Sequence, residues 1–202
     1  MMTKGLFITF EGGDGCGKTT QIKLLDEYLR LKGYKTLLTR EPGSKGLGIK
    51  LREILLNYDG EVSPTAESFL FLADRAQHID CIIKPALEKG TIVLCDRHTD
   101  STVAYQGYGR GLNLEQIHKL NQIATSGLKP NLTIVLDVDV ETSQKRVGFE
   151  KDRMESAGIE FFERVRQGFL EIAKQEPDRV KVVDSTQSIE DIHKQIVELI
   201  GR

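Results

Sequence analysis

The chain has 202 residues, of which 29% are charged and 39% hydrophobic, and its formal net charge is −2. That is the length of one domain, residues 1–202, with enough apolar material for a core that needs no staples. Lys and Arg are interspersed with Asp and Glu, so no basic face points to nucleic acid, and an anionic ligand must be held by a few placed groups. Cys16, Cys81 and Cys95 are odd in number and show no C-x-x-C spacing, which argues against a disulfide framework or structural zinc and for a cytoplasmic setting. The opening MMTKGLFITFEGG is too short an apolar run for a signal peptide or a membrane span, and no membrane partner is expected.

Leu6–Phe10 is an apolar run of strand length, and Lys18–Leu31 has helical spacing. Between them, Gly12-Gly13-Asp14-Gly15-Cys16-Gly17-Lys18-Thr19 fits G-x-x-x-x-G-K-[ST] in the strand-to-helix context which that pattern requires. The glycines let successive N–H groups turn toward phosphate oxygens, and the helix N-terminus adds positive potential. Lys18 is expected to reach the β- and γ-phosphates, Thr19 to ligate magnesium, and Gly12–Thr20 (with Thr20 closing the segment) to bind ATP. Two readings are open for Cys16. It is either a thiol activated by the N–H groups and Lys18, or a small residue that the loop tolerates.

Gly33 caps the first helix before a second strand, Tyr34–Thr39. Glu41–Gly48 (EPGSKGLG) combines glycine with charge and is expected to be irregular. Thr65–Glu88 is helical, Gly90 caps it, and Thr91–Cys95 is a strand. Leu114–Ser126 is helical, Asn131–Asp137 is a strand, and Val147–Gly158 is a second irregular stretch suited to a mobile ligand clamp. The helix Ile159–Lys174, the strand Arg179–Val183 and the helix Ile189–Ile200 complete the chain. The short strands lack polar alternation, as parallel strands covered on both faces do. This order predicts an α/β doubly wound parallel sheet of about five strands flanked by helices, with ligands at the strands' carboxyl ends.

A P-loop is shared by switch GTPases, motors and small-molecule kinases. None of Asn57, Asn113, Asn121 and Asn131 opens an N-K-x-D guanine motif, and the chain is small for a motor. Asp96 ends a strand and is followed by Arg97, whose planar guanidinium suits an acceptor phosphate. Asp96 is therefore preferred as the acid near magnesium, with Asp137 as its rival.

Further motifs give a specific resemblance. Glu11–Gln21 (EGGDGCGKTTQ), Thr39–Gly43 (TREPG), Phe69–His78 (FLFLADRAQH), Asp96–Gly111 (DRHTDSTVAYQGYGRG) and Asp152–Glu155 (DRME) resemble the successive motifs of thymidylate kinases. These are nucleoside-monophosphate kinases of the P-loop class, and the motifs span most of the chain. The resemblance implies transfer of phosphoryl from Mg-ATP to dTMP by a homodimer. Phe71 is then implied to stack on thymine, with Arg75, Thr102 and Gln106 on the base edge and Tyr105 against the sugar. Arg52 and Arg97 are implied to grip the acceptor phosphate, Asp14 the 3′-hydroxyl, and Glu41 to lie near magnesium. Gly15 stands where some members carry a P-loop arginine. The resemblance is thus to the bacterial type, which supplies the cation from a lid, here Lys151 and Arg153 with Arg146 at its base.

Overall fold

In this computed structural model the described residues are 5–147 and 158–201. Strands β1 (Phe7–Glu11), β2 (Thr36–Arg40), β3 (Ile92–Asp96), β4 (Leu132–Asp137) and β5 (Val180–Asp184) form one sheet in the order β2-β3-β1-β4-β5. All four neighbouring pairs are parallel. The strand order turns about β1, whose carboxyl end is therefore the natural ligand crevice. β1 is buried along its whole length, which explains the unbroken apolar run in the sequence.

Helices α1 (Lys18–Leu31) and α9 (Ile189–Ile200) cover one face. Leu25 and Leu29 of α1 meet Ile8, Phe10 and Ile196 in a core, each such side chain worth about 1.5–3 kcal/mol on burial. The other face is covered by α8 (Ile159–Gln175), packed on the Thr99–Gly109 helix, and by Ile79 and Ile83, which follow α3 (Pro64–His78) and pack on Phe7 and Val93. Gly33 and Gly90 have φ of 86° and 73°, the left-handed conformation expected of helix caps.

Each predicted strand is present and starts one or two residues later than expected. The helix expected over Thr65–Glu88 is continuous in direction but changes type. It is α-helical to His78, widens to a π-turn over Ile79–Ile83, and resumes as α4 (Lys84–Glu88). Three helical segments lie outside the helix ranges read from apolar periodicity. They are α2 (Leu47–Asn57), α5 (Thr99–Thr102) with its π-helical continuation Val103–Gly109, and α7 (Val140–Val147). α2 begins inside the stretch expected to be irregular. Its Leu51 and Leu55 bury against α3, and this packing outweighs the local glycines. α6 (Leu114–Ala124) starts on the Asn113 side chain, which accepts from the Gln116 N–H at 3.0 Å.

Candidate active site

The carboxyl ends of β1, β2 and β3 open onto a cavity of about 450 Å³. Gly12 makes the first turn of the P-loop with φ 128°, and a Cβ there would lie 2.5 Å from the Leu136 carbonyl oxygen, so only glycine fits. The Ser185 hydroxyl donates to the Cys16 carbonyl and fastens the loop from the β5 side. Lys18 Nζ donates to the carbonyls of Gly12 (3.2 Å) and Gly13 (2.7 Å). Gly15, Gly17, Lys18, Thr19 and Thr20 line the cavity, and the two threonines are exposed to it.

The Cys16 side chain is 1% exposed and belongs to the core beneath α1. The activated-thiol reading therefore does not hold, because a reagent cannot reach the sulfur without opening the loop. The exposed cysteine is Cys81, and all three are free thiols.

Asp96, at the end of β3, lines the cavity, and its Oδ1 is sealed from solvent with no hydrogen-bond partner among the described residues. Asp137, its rival, is held by Arg166 through two hydrogen bonds of 2.7 and 2.8 Å. The free acid is thus Asp96. A buried carboxylate oxygen without a partner beside the exposed Thr19 hydroxyl is a donor set that fits hydrated magnesium.

Arg97 has φ 66°, a left-handed backbone that directs its guanidinium across the mouth of the P-loop. Its Nη1 donates to the Gly12 carbonyl (3.0 Å) and Ser101 Oγ (3.2 Å), and its Nη2 to Asp14 Oδ1 (2.6 Å). Burial raises the Asp14 pKa, but Arg97 and Lys18 outweigh it and hold the carboxyl down at about 2. Arg52 donates to the Pro42 carbonyl at 3.0 Å and also lines the cavity.

Arg75 is 1% exposed, which rules out a solvated surface arginine. Its Nε donates to Glu41 Oε2 (2.8 Å), Nη1 to Thr102 Oγ1 (2.8 Å) and Asn121 Oδ1 (2.7 Å), and Nη2 to the His98 carbonyl (2.9 Å). Four of its five N–H groups are thereby used, and the fifth has no partner among the described residues and is left for a ligand. Glu41 Oε1 lies 2.9 Å from Nδ1 of both His78 and His98. Burial raises the Glu41 pKa, but His98 and Arg75 overcome it and the net value lies well below the ordinary one. Burial lowers the His98 pKa against the pull of Glu41, so its imidazole is neutral near pH 7. Both Glu41 oxygens thus face protein donors. Glu41 thereby anchors Arg75, and it lines the same cavity as Thr19 and Asp96.

Phe71 is half-buried, lines the cavity and is absent from the buried core clusters, which leaves its face available for stacking. Thr102, Tyr105 and Gln106 reach the cavity from the helical segment after β3. Tyr105 is 7% exposed and lies edge-on to Phe161 and Phe169, with the Arg97 guanidinium 5.0 Å above its ring. Arg146 lines the cavity near Ser185, whose carbonyl accepts from it at 3.3 Å. Arg153, Lys151 and nearly all of the proposed lid lie outside the described residues.

The sequence reading passed over Arg40, Ser101 and Glu11. Arg40 is exposed at the end of β2 and lines the cavity. It sits in TREPG, the one signal that could have singled it out. Glu11 is fully buried; it accepts from the His98 N–H (2.8 Å) and the Ser101 hydroxyl (2.5 Å), fixing the turn that carries Arg97. Burial, then the charge of Asp100, raises its pKa from 4.5 to about 7. The folded chain therefore takes up a proton that the unfolded chain has lost, and Glu11 makes stability fall as pH rises from about 4.5 to about 7. Glu11→Gln should flatten that fall when thermal unfolding is followed across the window. An unchanged slope would show that the Glu11 carboxyl does not titrate there.

The family model described as thymidylate kinase matches residues 10–196. The chain belongs to the thymidylate kinase family. It is 51% identical to the thymidylate kinase of Sulfurihydrogenibium sp. over 195 residues, covering 96% of each chain. It is 49% identical to that of Geotalea daltonii, covering 98% of each. The crystal structure of the Ehrlichia chaffeensis thymidylate kinase superposes with a TM-score of 0.83 at 38% identity, covering 97% of this chain and 98% of that one. The fold is accordingly the P-loop nucleoside-monophosphate kinase fold. Among the described residues no helix is long and apolar enough to cross a membrane.

Proposed function

We propose that this protein is a dTMP kinase, acting in the cytoplasm as a single domain with a lid at 147–158: ATP + dTMP → ADP + dTDP. The observation that carries the reading is a single cavity bounded by the P-loop, by Arg52 and Arg97, and by Phe71, Arg75 and Gln106. It sets a triphosphate cradle, a phosphate clamp and a base-stacking face side by side. The P-loop N–H groups and Lys18 bind the donor phosphates, and Asp14 takes the 3′-hydroxyl. The free Arg75 N–H and Gln106 meet the thymine edge. Thr19 and Asp96 hold magnesium, which when bound neutralises charge on the phosphate oxygens. The acceptor oxygen is already ionised at neutral pH, so catalysis is positioning and charge stabilisation, with Lys18, Arg97 and the lid-side cations Arg146 and Arg153 as donors. A coupled assay with Mg-ATP across dTMP, dUMP, UMP, CMP, AMP and GMP tests it. Turnover stimulated selectively by dTMP is expected, and ATP hydrolysis indifferent to monophosphates would overturn it.

Tyr105 limits the sugar. Its ring fills the space beside Arg97, and a ribose 2′-hydroxyl pressed against it loses water without a partner, a penalty of about 1–3 kcal/mol. Tyr105→Ala should lower the preference for dTMP over ribothymidine monophosphate at least about fivefold in kcat/KM, consistent with that penalty. It should also lower Tm, because the ring packs on Phe161 and Phe169. If both substrates suffer equally, Tyr105 serves packing alone.

The homodimer reading is supported by Ile49 and Ile54 on α2, Phe69 on α3 and Ile123 on α6, apolar side chains 45–74% exposed on successive neighbouring helices. Phe69→Glu should shift the mass measured by light scattering from two chains to one. A wild-type protein with the mass of one chain would end this reading.

A further inference from the structure

Glu67, Phe71 and Arg75 are spaced four residues apart and share one stripe of α3. Phe71 and Arg75 line the cavity, whereas Glu67 lies behind it with no exposed surface. The Glu67 carboxylate is paired with Arg110, whose Nε is 3.2 Å from Oε1 and whose Nη2 is 3.3 Å from Oε2. Arg110 is itself placed by the Phe161 ring, 4.7 Å beneath its guanidinium. On the cavity side, Glu67 Oε1 accepts from Gln106 Nε2 at 3.1 Å.

Resting on the dTMP reading above, we propose that Glu67 determines which pyrimidine the site accepts by fixing the face of the Gln106 amide that meets the base. An ion-paired carboxylate can only accept hydrogen bonds, so the amide nitrogen of Gln106 must turn toward it. The amide oxygen is thereby left to the cavity; it has no hydrogen-bond partner among the described residues and is not sealed from solvent. Facing a base, that oxygen accepts from the N3–H of thymine or uracil. Cytosine presents a lone pair at N3 and meets repulsion instead. The free Arg75 N–H adds a donor suited to a carbonyl beside N3. Selection is thus set one residue behind the contact, by a group that never touches the substrate. Glu67 is a positioning residue.

The test is kcat/KM for dTMP, dUMP and dCMP with the full chain, as wild type, Glu67→Gln, Gln106→Ala and the double variant. In Glu67→Gln the new amide keeps its oxygen on Arg110 and donates its nitrogen to Gln106, which turns the Gln106 N–H groups toward the base. The dTMP:dCMP ratio should then fall at least about tenfold, in keeping with the cost of a mismatched buried hydrogen bond. The dTMP:dUMP ratio should stay within about twofold of wild type, since those bases share one hydrogen-bonding edge. In the Gln106→Ala background, changing Glu67 should leave the dTMP:dCMP ratio unaltered. Equal losses on all three substrates in Glu67→Gln, with both ratios kept, would overturn the proposal and reduce Glu67 to a scaffold. Thermal unfolding shows whether the variant folds; if it does not, Glu67→Ala, which frees the amide to take either orientation, carries the same comparison and the same outcomes. Wild-type turnover of dTMP separately tests the underlying function.

Discussion

Arg97→Ala should lower kcat/KM for dTMP by at least about 100-fold, equivalent to roughly 2.7 kcal/mol of transition-state binding. Arg97 is held at both its backbone and its guanidinium. Its backbone has φ 66°, and its guanidinium is stacked over Tyr105 and tied to the Gly12 carbonyl, Ser101 and Asp14. Those contacts aim the fork into the cavity before substrate arrives, so little side-chain entropy is lost on binding. A dianionic acceptor phosphate competes with Asp14 for the same N–H groups and offers more charge. Alanine removes the fork and leaves Asp14 facing the phosphate with one cation fewer, so repulsion adds to the loss. ATP affinity is expected to stay within about twofold, because the P-loop N–H groups and Lys18 remain. Steady-state kinetics at saturating ATP, with ATP binding measured separately, decide the matter. A loss of tenfold or less would make Arg97 a structural residue.

Arg75→Met is expected to be the most destabilising single change in the site, at about 3–5 kcal/mol. Arg75 and Glu41 have side chains each only 2% exposed, and the arginine joins α3 to residues that follow β2 and β3. Methionine fills much of the volume but leaves Glu41 buried with two imidazoles and no permanent cation. For a domain of this size each kcal/mol moves Tm by about 2–4 °C, so a fall on the order of 10 °C is expected. The loss should depend on pH. Without Arg75, Glu41 draws a proton onto His98 and raises its folded-state pKa. The stability so regained is fully present below the ordinary histidine value of 6.5 and is lost as pH rises above it. The difference in Tm between variant and wild type should therefore be smaller near pH 6 than near pH 8. A variant with wild-type Tm at both values would mean that the Glu41 network does not hold the site together.

The strands and the P-loop were legible in the sequence because their signals are local. An unbroken apolar run means a strand covered on both faces, and glycines at fixed spacing before Lys18 and Thr19 mean a loop that can close on phosphate. α1 and α9 fall within the same bounds as their apolar periodicity, since each has one buried stripe and a clear end. The helices at Leu47–Asn57, Thr99–Gly109 and Val140–Val147 were not read in the same way. They are short or glycine-bearing, and tertiary packing holds them: α2 against α3, and the π-helical segment against α8.

The sequence by itself determined that a nucleotide-binding α/β domain had to form, and its motifs gathered the acceptor-site residues in their order along the chain. Only the tertiary structure decided what each charged side chain faces. Asp96 and Asp137 both end strands and look equivalent in one dimension, but Arg166, 29 residues on from Asp137, reaches back to pair with it and leaves Asp96 open. The partner that anchors Arg75, Glu41, lies 34 positions earlier and is not visible from the sequence around it. Cys16 reads equally as a reactive thiol or a small tolerated residue until the loop is seen to turn it into the core. The physical reason is common to all three. Helix and strand periodicity is fixed by neighbours a few residues apart, whereas burial and ion-pair partners depend on which distant segments the fold brings together.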